Sequence, residues 1–243
     1  MAKKMLSSLT VTVPAYNEQE TLESVIKSVK TKLPSLAREN EIIIVNDGST
    51  DGTRQLVEKL ASESDIIKAI HHPFNIGYGG AQKSGILSAK YDYLTIIPSD
   101  GQFQIDDLTE FAEWADGFEI ILGCRRYRHG DPLFRKIKTR VFRIVMYVLF
   151  GITLKDINWV KLFKKEVFKD MQITSKGICV DAEVVFKAQR KGCRFKEIIV
   201  DYLPREAGIP KGDLPLNVLI TIIELLILRF SSWKNRKKEK TLY

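Results

Sequence analysis

A carboxylate and a side-chain amide stand close together in the segment Ser99-Asp100-Gly101-Gln102, directly after an apolar run. A hard divalent cation such as Mg²⁺ or Mn²⁺ takes oxygen ligands and keeps waters and substrate phosphate oxygens in its shell, so one or two protein groups suffice. Asp100 and the amide oxygen of Gln102 can supply these ligands. Taken alone, the segment fits a solvated turn between a strand and a helix equally well.

A second carboxylate, Asp47, lies in the segment Asn46-Asp47-Gly48-Ser49-Thr50-Asp51-Gly52, where an apolar run gives way to a helical pattern. A carboxylate at this point can accept hydrogen bonds from a nucleobase or a ribose, and the glycines allow tight backbone turns. The Ser-Thr-Asp triplet also predicts a helix N-cap and an acidic first turn. An ordinary Asp/Gly turn with a cap explains the segment equally well.

Glycines precede a helical pattern in the segment Asn75-Ile76-Gly77-Tyr78-Gly79-Gly80. They match a dinucleotide-binding fingerprint poorly, because that fingerprint follows the first strand and is trailed by an acidic residue about 20 positions on. The simpler interpretation is that these glycines let the helix pack closely against a sheet.

The segments that contain Asp47 and Asp100 each follow a predicted strand. Strands are predicted at Leu9–Pro14, Glu41–Val45, Ile66–His71, Tyr93–Ile97, Ile120–Gly123 and Phe195–Leu203, and helical patterns lie between most of them. This alternation predicts an α/β protein with an open, mainly parallel sheet, right-handed crossovers and helices on both faces. The carboxyl ends of such strands hold the ligand, so we expect both carboxylates at one edge.

Composition and charge narrow the class of protein. At 243 residues and 44% hydrophobic, the chain can bury a substantial core. The first 123 residues have a net charge of −7 and the remainder +15, which suggests an anionic partner for the second half. Three cysteines without a C-x-x-C pair suggest neither a disulfide framework nor a zinc site. The first ten residues lack a secretory signal pattern, so we expect a protein that faces the cytoplasm.

The motifs taken together are far more specific than any one of them. Four segments closely resemble the family 2 glycosyltransferases: Val13-Pro14-Ala15-Tyr16-Asn17-Glu18, Val45 to Thr53, Asn75 to Gly79, and Ser99 to Gln102. The resemblance implies the GT-A fold, a single Rossmann-like nucleotide-binding domain, and transfer of a sugar with inversion. It also implies Mg²⁺ or Mn²⁺ as the cofactor.

Further segments resemble the polyprenyl-phosphate branch of that family, which includes dolichol-phosphate mannose and glucose synthases and undecaprenyl-phosphate sugar transferases. They are Gly123-Cys124-Arg125, Asp131 to Arg135 with Thr139, Asp156 with Lys161-Leu162-Phe163, Asp181-Ala182-Glu183, and Pro204 to Gly208 with Lys211. The branch implies a UDP- or GDP-sugar donor and a dolichyl or undecaprenyl phosphate acceptor.

The resemblance also implies roles for individual residues. Asp100, Asp156 and Arg125 would be catalytic, and Asp100 with Gln102 would hold the metal. The nucleotide-sugar would be bound by Pro14, Tyr16, Glu18, Asp47, Ser99, Arg205 and Lys211. The acceptor phosphate would meet Arg125, Arg135 and Thr139.

This chain departs from the family pattern at two positions. The metal motif of the family commonly has Asp-x-Asp, and here Pro98 occupies the first position, which leaves Asp100 as the only carboxylate of the motif. Tyr202 stands where relatives often have His. These departures put the number of protein ligands to the metal in doubt.

Transfer to a phosphate has clear physical requirements. The leaving nucleoside diphosphate gains negative charge, which a divalent ion and arginines stabilise. Guanidinium groups hold a phosphate bidentately, which favours Arg125 and Arg135 for the acceptor. A phosphate monoester with a second pKa near 6 is already largely anionic at pH 7. Asp156 therefore has three open roles, which are orienting the acceptor, taking a residual proton, or stabilising the oxocarbenium-like sugar. A helix cap or a salt bridge is the plain alternative.

Two helical patterns in the second half are amphipathic and basic. Residues 134–150 have a basic start and an apolar continuation, and the Leu216–Phe230 pattern is followed by a basic tail. No apolar stretch reaches the length of about 18 residues that spans a bilayer. We expect both helices to lie on a membrane surface. Packing against the domain or against a second subunit, which would make a homo-oligomer, is the alternative.

The predicted organisation is one GT-A domain over residues 1–211 and a membrane-associating helix and tail over residues 212–243. The leading hypothesis is a transferase on the cytoplasmic face of a membrane that moves a sugar to a polyprenyl phosphate. A glycan or other soluble acceptor, and a non-catalytic protein that binds nucleotide-sugar or membrane, are the alternatives. We expect no nucleic-acid partner, because such binding leaves the acidic strand-end motifs unexplained.

Overall fold

In the part of the chain that the structure describes, seven strands form one sheet with helices on both faces. The computed structural model describes residues 4–126, 133–203 and 221–230, and within them the side chains other than those of residues 133–136 and 138. The strands are β1 (Leu6–Ala15), β2 (Ala37–Asn46), β3 (Ile67–His71), β4 (Tyr93–Ile96), β5 (Ile120–Arg125), β6 (Lys161–Lys164) and β7 (Phe195–Val200). The helices are α1 (Leu22–Leu36), α2 (Thr53–Ser62), α3 (Tyr78–Ser88), α4 (Leu108–Trp114), α5 (Leu133–Phe150), α6 (Val180–Arg190) and α7 (221–230).

The strand order across the sheet is β3-β2-β1-β4-β6-β5-β7. Strand β6 pairs antiparallel with both β4 and β5, and the other pairs are parallel. Six strands therefore end at the same edge of the sheet, and β6 begins there. This edge collects the loops that follow β1, β2, β4 and β5, which is where an open α/β sheet binds its ligand.

The sequence of β2 shows why the sheet is covered on both sides. Its run Ile42-Ile43-Ile44-Val45 is fully buried. Successive strand residues point to opposite faces, so Ile42 and Ile44 join one apolar cluster while Ile43 and Val45 join another. Only a strand with helices on both faces can bury such a run.

The helices divide between the two faces. Helices α1, α2 and α4 pack into the first cluster, through residues such as Leu22, Val57 and Phe111. Helices α5, α6 and α7 pack into the second, through residues such as Met146 and Val185. On α1 and α2 the buried residues form the apolar stripe of each helix.

Two local predictions differ from the structure. The sequence analysis did not predict β6, because a strand of four residues next to lysines gives a weak pattern. The N-cap of α2 is Gly52 rather than a residue of the Ser-Thr-Asp triplet, although the Asp51 carboxylate accepts the Thr53 N–H at 3.0 Å. Acidic Asp51 therefore still satisfies a backbone donor of the first turn.

Helix α7 packs on the domain through one face and exposes the other. Thr221 is 7% exposed and Leu225 is fully buried, whereas Ile227 and Phe230 are 61% and 66% exposed. The Thr221 carbonyl accepts a hydrogen bond from the Cys179 thiol. Helix α7 thus exposes apolar side chains on its outer face while Leu225 and Leu228 pack on the domain, whereas a helix on a water-exposed surface is polar on its outer face. Among the described residues, no helix is long and apolar enough to cross a membrane.

Candidate active site

The loops after β1 and β2 are joined by hydrogen bonds. Asn17 has a positive φ of 54°. Its backbone N–H donates to the Ser49 hydroxyl at 3.0 Å, and its side-chain oxygen accepts the Thr50 N–H at 2.8 Å. The Glu18 N–H donates to the Thr53 hydroxyl at 2.9 Å. Tyr16 and Glu18 therefore stand, half-buried, on a loop whose shape is already fixed.

Asp47 is buried at the end of β2, with its side chain 4% exposed. Its carboxylate accepts the N–H groups of Ile76 at 3.1 Å and Gly77 at 3.0 Å, and lies 2.7 Å from His72 Nδ1. His72 Nε2 in turn lies 2.9 Å from the Ser84 hydroxyl. The carboxylate therefore holds the segment between β3 and α3, and most of its lone-pair sites are engaged.

The glycines before α3 approach a neighbouring loop. A Cβ at Gly77 would lie 2.6 Å from the Lys176 carbonyl oxygen, and one at Gly79 would lie 2.6 Å from that of Ser175. The Gly79 N–H donates to the Lys176 carbonyl at 2.8 Å. The expected close packing against the sheet occurs instead at Gly85, against Thr12. These glycines thus bring the loop before α6 onto the start of α3.

The turn that contains Asp100 is hydrogen-bonded to two other parts of the chain. Asp100 Oδ1 accepts the Gln102 N–H at 3.1 Å, and the carbonyl of the buried Ser99 accepts the Thr21 hydroxyl at 2.8 Å. Gln102 Nε2 donates to the Tyr202 hydroxyl at 2.5 Å. The turn is therefore tied both to α1 and to the segment after β7.

Arg125 and Asp156, which lie 31 residues apart, form a bidentate ion pair. Arg125 Nε and Nη2 donate to the two carboxylate oxygens at 2.7 Å and 3.1 Å. The side chains are 36% and 16% exposed. Two predicted catalytic residues therefore meet at the end of β5, and the guanidinium has a fixed plane.

A buried ion pair lies near these residues at the start of β6. Lys161, only 3% exposed, donates to Asp181 Oδ1 and to the Trp159 carbonyl, both at 2.7 Å. Burial of the Tyr78 hydroxyl raises the pKa of Tyr78, and the charges of Asp181 and Asp100 raise it further, while Gln82 and Arg125 lower it. Tyr78 thus remains protonated and lies within electrostatic reach of Asp100, Arg125 and Asp181.

The cysteines do not contribute a nucleophile. All three are free thiols. Burial, reinforced by Glu197, raises the pKa of Cys124 to about 12, and burial likewise raises the pKa of Cys179. Because the thiolate is the reactive form, these two thiols are inert at neutral pH.

Asp100 and Gln102 are few ligands for a metal ion, which suits a cation whose other ligands are waters and substrate phosphate oxygens. Among residues 4–126, 133–203 and 221–230, no three His, Cys, Asp or Glu side chains converge on one point. Asp100 supplies one carboxylate, and since Gln102 Nε2 donates to Tyr202, the amide oxygen is the acceptor that remains. Mg²⁺ is usually held by one or two carboxylates with waters and phosphates. The residues present therefore fit a divalent cation shared with a diphosphate.

Some predicted site residues lie elsewhere or cannot be placed. Pro14 is buried within β1, and Thr139 lies half-buried on α5. Arg135 is in the first turn of α5, but its side chain is outside the described part of the chain. Arg205 and Lys211 lie outside the described residues. The structure thus brings together Asp100, Gln102, Arg125 and Asp156.

Comparisons with known proteins give the class. The profile of "Glycosyl transferase family 2" matches residues 10–178. Glucosyl-3-phosphoglycerate synthase from Mycobacterium tuberculosis, in complex with Mn²⁺, UDP and phosphoglyceric acid, has a TM-score of 0.71 at 19% identity, covering 92% of this chain and 78% of that one. Together with the sheet topology, this establishes a GT-A fold of the mainly parallel α/β kind. The chain belongs to glycosyl transferase family 2 and is a glycosyltransferase.

Curated relatives fall in one branch of the family. Undecaprenyl-phosphate mannosyltransferase of Micrococcus luteus is 26% identical over 210 residues, which cover 82% of this chain and 85% of that protein. Polyprenol monophosphomannose synthase of Mycolicibacterium smegmatis is 26% identical over 214 residues, covering 83% and 79%. A dolichyl-phosphate beta-glucosyltransferase of Trichomonas vaginalis is 26% identical over 253 residues, covering 95% and 76%. The recognition of this branch from its motifs is confirmed.

Several residues of the site have no role predicted from the sequence. Lys161, Asp181 and Tyr78 stand only as parts of motifs, Tyr202 only as a departure from the family pattern, and Trp159 in none of them. One signal was available for Lys161, because a lysine at the head of an apolar strand requires a buried partner. No local pattern identifies Trp159, since its neighbours in the site come from other elements.

Proposed function

We propose that the protein transfers a sugar, with inversion, from a nucleoside diphosphate-sugar to a polyprenyl phosphate. The observation that carries this proposal is the arrangement of residues on α5. This helix holds Thr139 and Arg135, the predicted ligands of the acceptor phosphate, and it also exposes an apolar stripe. A phosphate on a long apolar chain requires both features together.

The exposed apolar surface has two parts. On α5, Ile137, Val141, Ile144, Tyr147 and Val148 are 47–70% exposed. On α7, Ile223, Leu226, Ile227 and Phe230 are 39–66% exposed. Arg140 and Arg143 lie among the α5 residues and are also exposed. We name these two stripes the apolar surface, and we propose that it lies on the cytoplasmic face of a membrane with anionic headgroups.

The transfer itself needs little proton chemistry. A nonbridging oxygen of the acceptor phosphate forms a bond to the anomeric carbon, and the bond from that carbon to the diphosphate oxygen breaks, so the nucleoside diphosphate leaves with the electron pair. The nucleophile is anionic at pH 7. Arg125, held in plane by Asp156, orients the acceptor oxygens, and Asp156 acts by orienting this arginine. Asp100 and Gln102 would hold a divalent cation, which would supply charge neutralisation for the leaving diphosphate.

The named relatives support this acceptor class. The bacterial relatives are an undecaprenyl-phosphate mannosyltransferase and a polyprenol monophosphomannose synthase, and the Trichomonas relative is a dolichyl-phosphate glucosyltransferase. The chain covers most of the length of each. We infer a UDP- or GDP-linked hexose as the donor and a membrane-borne polyprenyl phosphate as the acceptor.

The reaction is tested with labelled UDP- and GDP-sugars, Mg²⁺ or Mn²⁺, and a short polyprenyl phosphate. We expect an organic-extractable sugar phosphate lipid whose formation stops when EDTA is added. Phosphoglyceric acid and free glycans serve as the soluble acceptors for comparison. If product forms with a soluble acceptor and none forms with the lipid, the acceptor is the soluble molecule and the proposed lipid acceptor is wrong.

Membrane binding is tested by flotation with vesicles that contain anionic phospholipid. The double variant Ile144→Asp/Ile227→Asp should lose most of its vesicle binding, because each charge enters an outward apolar stripe. Leu87→Asp is the matched control, since Leu87 is an apolar residue that is 74% exposed on α3. Equal binding of both variants would mean that the apolar surface meets another protein or a second copy.

A further inference from the structure

Arg125 lies against two aromatic rings. Its guanidinium carbon is 4.6 Å from the centroid of the Trp159 ring and 5.8 Å from that of the Tyr202 ring. The two rings meet edge to face, with centroids 5.4 Å apart at 68°. Trp159 also contacts Phe103, with centroids 6.3 Å apart. The ion pair with Asp156 fixes one edge of the guanidinium, and the rings fix its faces.

Trp159 makes these contacts at a cost. Its indole N–H is buried and has no hydrogen-bond partner among the described residues. An unpaired buried donor is unfavourable, and a phenylalanine in the same place would avoid it. What tryptophan offers over phenylalanine is a larger ring face that binds a cation more strongly. The choice of tryptophan here is therefore explained by Arg125.

Tyr202 connects this arginine to the Asp100 turn. Its hydroxyl accepts the hydrogen bond from Gln102 Nε2, and residue 202 pairs with Phe103 in an isolated bridge. The Leu203 N–H donates to the Gln102 carbonyl at 3.0 Å. One tyrosine thus touches the turn through its hydroxyl and the guanidinium through its ring.

We propose that Trp159 and Tyr202 are positioning residues that hold Arg125 at a fixed place relative to the Asp100 turn. We call this pair the aromatic clamp. Under the proposed function, on which this inference rests, Arg125 binds the acceptor phosphate and the turn binds the donor diphosphate. The aromatic clamp then sets the distance between the two reactants, which a transfer in line with the anomeric carbon requires.

The first test changes the tryptophan. Trp159→Leu should lower kcat/KM for the polyprenyl phosphate about tenfold, the size of a partly desolvated cation–π contact. Trp159→Phe should lower it about threefold, with an equal or higher melting temperature, because the unpaired indole N–H is gone. The Kd for the donor nucleotide, measured by calorimetry, should change less than twofold in both.

Trp114→Leu is the matched control. Trp114 also has a cation over its ring, Lys196 Nζ at 3.7 Å from the centroid, but it lies on α4 and its cation is at the start of β7, whereas Arg125 is at the end of β5. We expect an unchanged kcat/KM for this variant. A Trp159→Phe variant that loses stability and activity together, or a Trp159→Leu variant as active as Trp114→Leu, would overturn the aromatic clamp.

The second test changes the tyrosine. Tyr202→Phe keeps the ring and removes the hydroxyl, so Arg125 keeps its contact while the Gln102 bond is lost. We expect donor Kd and acceptor KM each to rise about threefold, whereas Tyr202→Leu should raise acceptor KM about tenfold. An effect of Tyr202→Phe on neither constant would overturn the connection. If the wild-type enzyme forms no lipid product with any donor, the proposed function fails, and the aromatic clamp fails with it. Normal wild-type turnover with unaffected variants refutes the aromatic clamp alone.

Discussion

Asp47 and Asp156 are both carboxylates near the end of the sheet, and their partners differ. Asp47 accepts two backbone N–H groups and contacts a histidine, whereas Asp156 binds the guanidinium of Arg125. Backbone N–H partners are neutral, so they fix the shape of a loop without cancelling the charge of the carboxylate. The ion pair with Asp156 instead keeps the cationic guanidinium of Arg125 at a fixed place, where it can bind an anion. The proposed donor half of the site, formed by the loops after β1 and β2, is thus shaped by neutral partners, and the proposed acceptor half, around Arg125, is shaped by charge.

This difference predicts which property, stability or activity, should change in variants of each half. Changes in the donor half should reduce stability and nucleotide binding together, because the loops that we propose to bind the nucleotide are also part of the packed fold. Changes in the acceptor half should reduce activity with little effect on stability, since the ion pair lies partly at the surface. The following variants test that comparison.

The largest effect is expected at Asp156. Asp156→Asn removes the charge that holds Arg125 in plane, so turnover should fall on the order of 100-fold, because a misplaced guanidinium no longer orients the acceptor oxygens. Donor Kd, measured by calorimetry, should change little. Asp201→Asn is the control, because Asp201 pairs with the adjacent Arg126 in an exposed position. Equal losses in the two variants would show that Asp156 has no special role.

A smaller effect is expected at Asp47. Asp47→Asn places an amide among donors that need an acceptor, so the free energy of unfolding should fall by about 2 kcal/mol, and donor affinity should fall with it. Chemical denaturation and nucleotide titration give the two values. Asp51→Asn, in the same loop, should lower stability less. Loss of affinity with full stability would instead support direct contact between Asp47 and the nucleotide, as the family resemblance implies.

The smallest effect is expected at Asp107, beside the acceptor half. Burial, with the charges of Asp201, Glu110 and Asp106, raises the pKa of Asp107 to about 6. The folded protein therefore binds this proton more tightly than the unfolded chain does. Its stabilising contribution is complete below about pH 4 and is lost as the pH rises through about 6.

Asp107→Asn replaces the titrating carboxyl with a neutral amide, so it should remove the loss of stability that occurs as the pH rises. We expect the variant to be more stable than the wild type by about 1–2 kcal/mol at pH 7.5, after allowance for solvent, and equally stable near pH 4. Urea unfolding at the two pH values measures this. Asp106→Asn, which breaks the exposed pair with Lys32, should give no gain at pH 7.5. A gain that is the same at both pH values would contradict the raised pKa.

The sequence predicted the parts of the site that follow strong strand patterns. Asp47 and Asp100 each come after an apolar run, and parallel strands end at one edge, so their shared location followed from pattern alone. The motifs also identified the family and its lipid-phosphate branch. These features depend on neighbours along the chain, and a sequence displays such neighbours directly.

The tertiary structure decided which partners each of these residues has. The pairing of Arg125 with Asp156, the rings of Trp159 and Tyr202, and the ion pair of Lys161 with Asp181 all join elements far apart in sequence. The antiparallel strand β6 begins at the ligand edge and therefore places Lys161 there. Its four-residue pattern is too short to predict a strand. The apolar outer face of α7 was equally hidden, because the sequence pattern shows that a helix has different faces while only packing determines which one meets the protein.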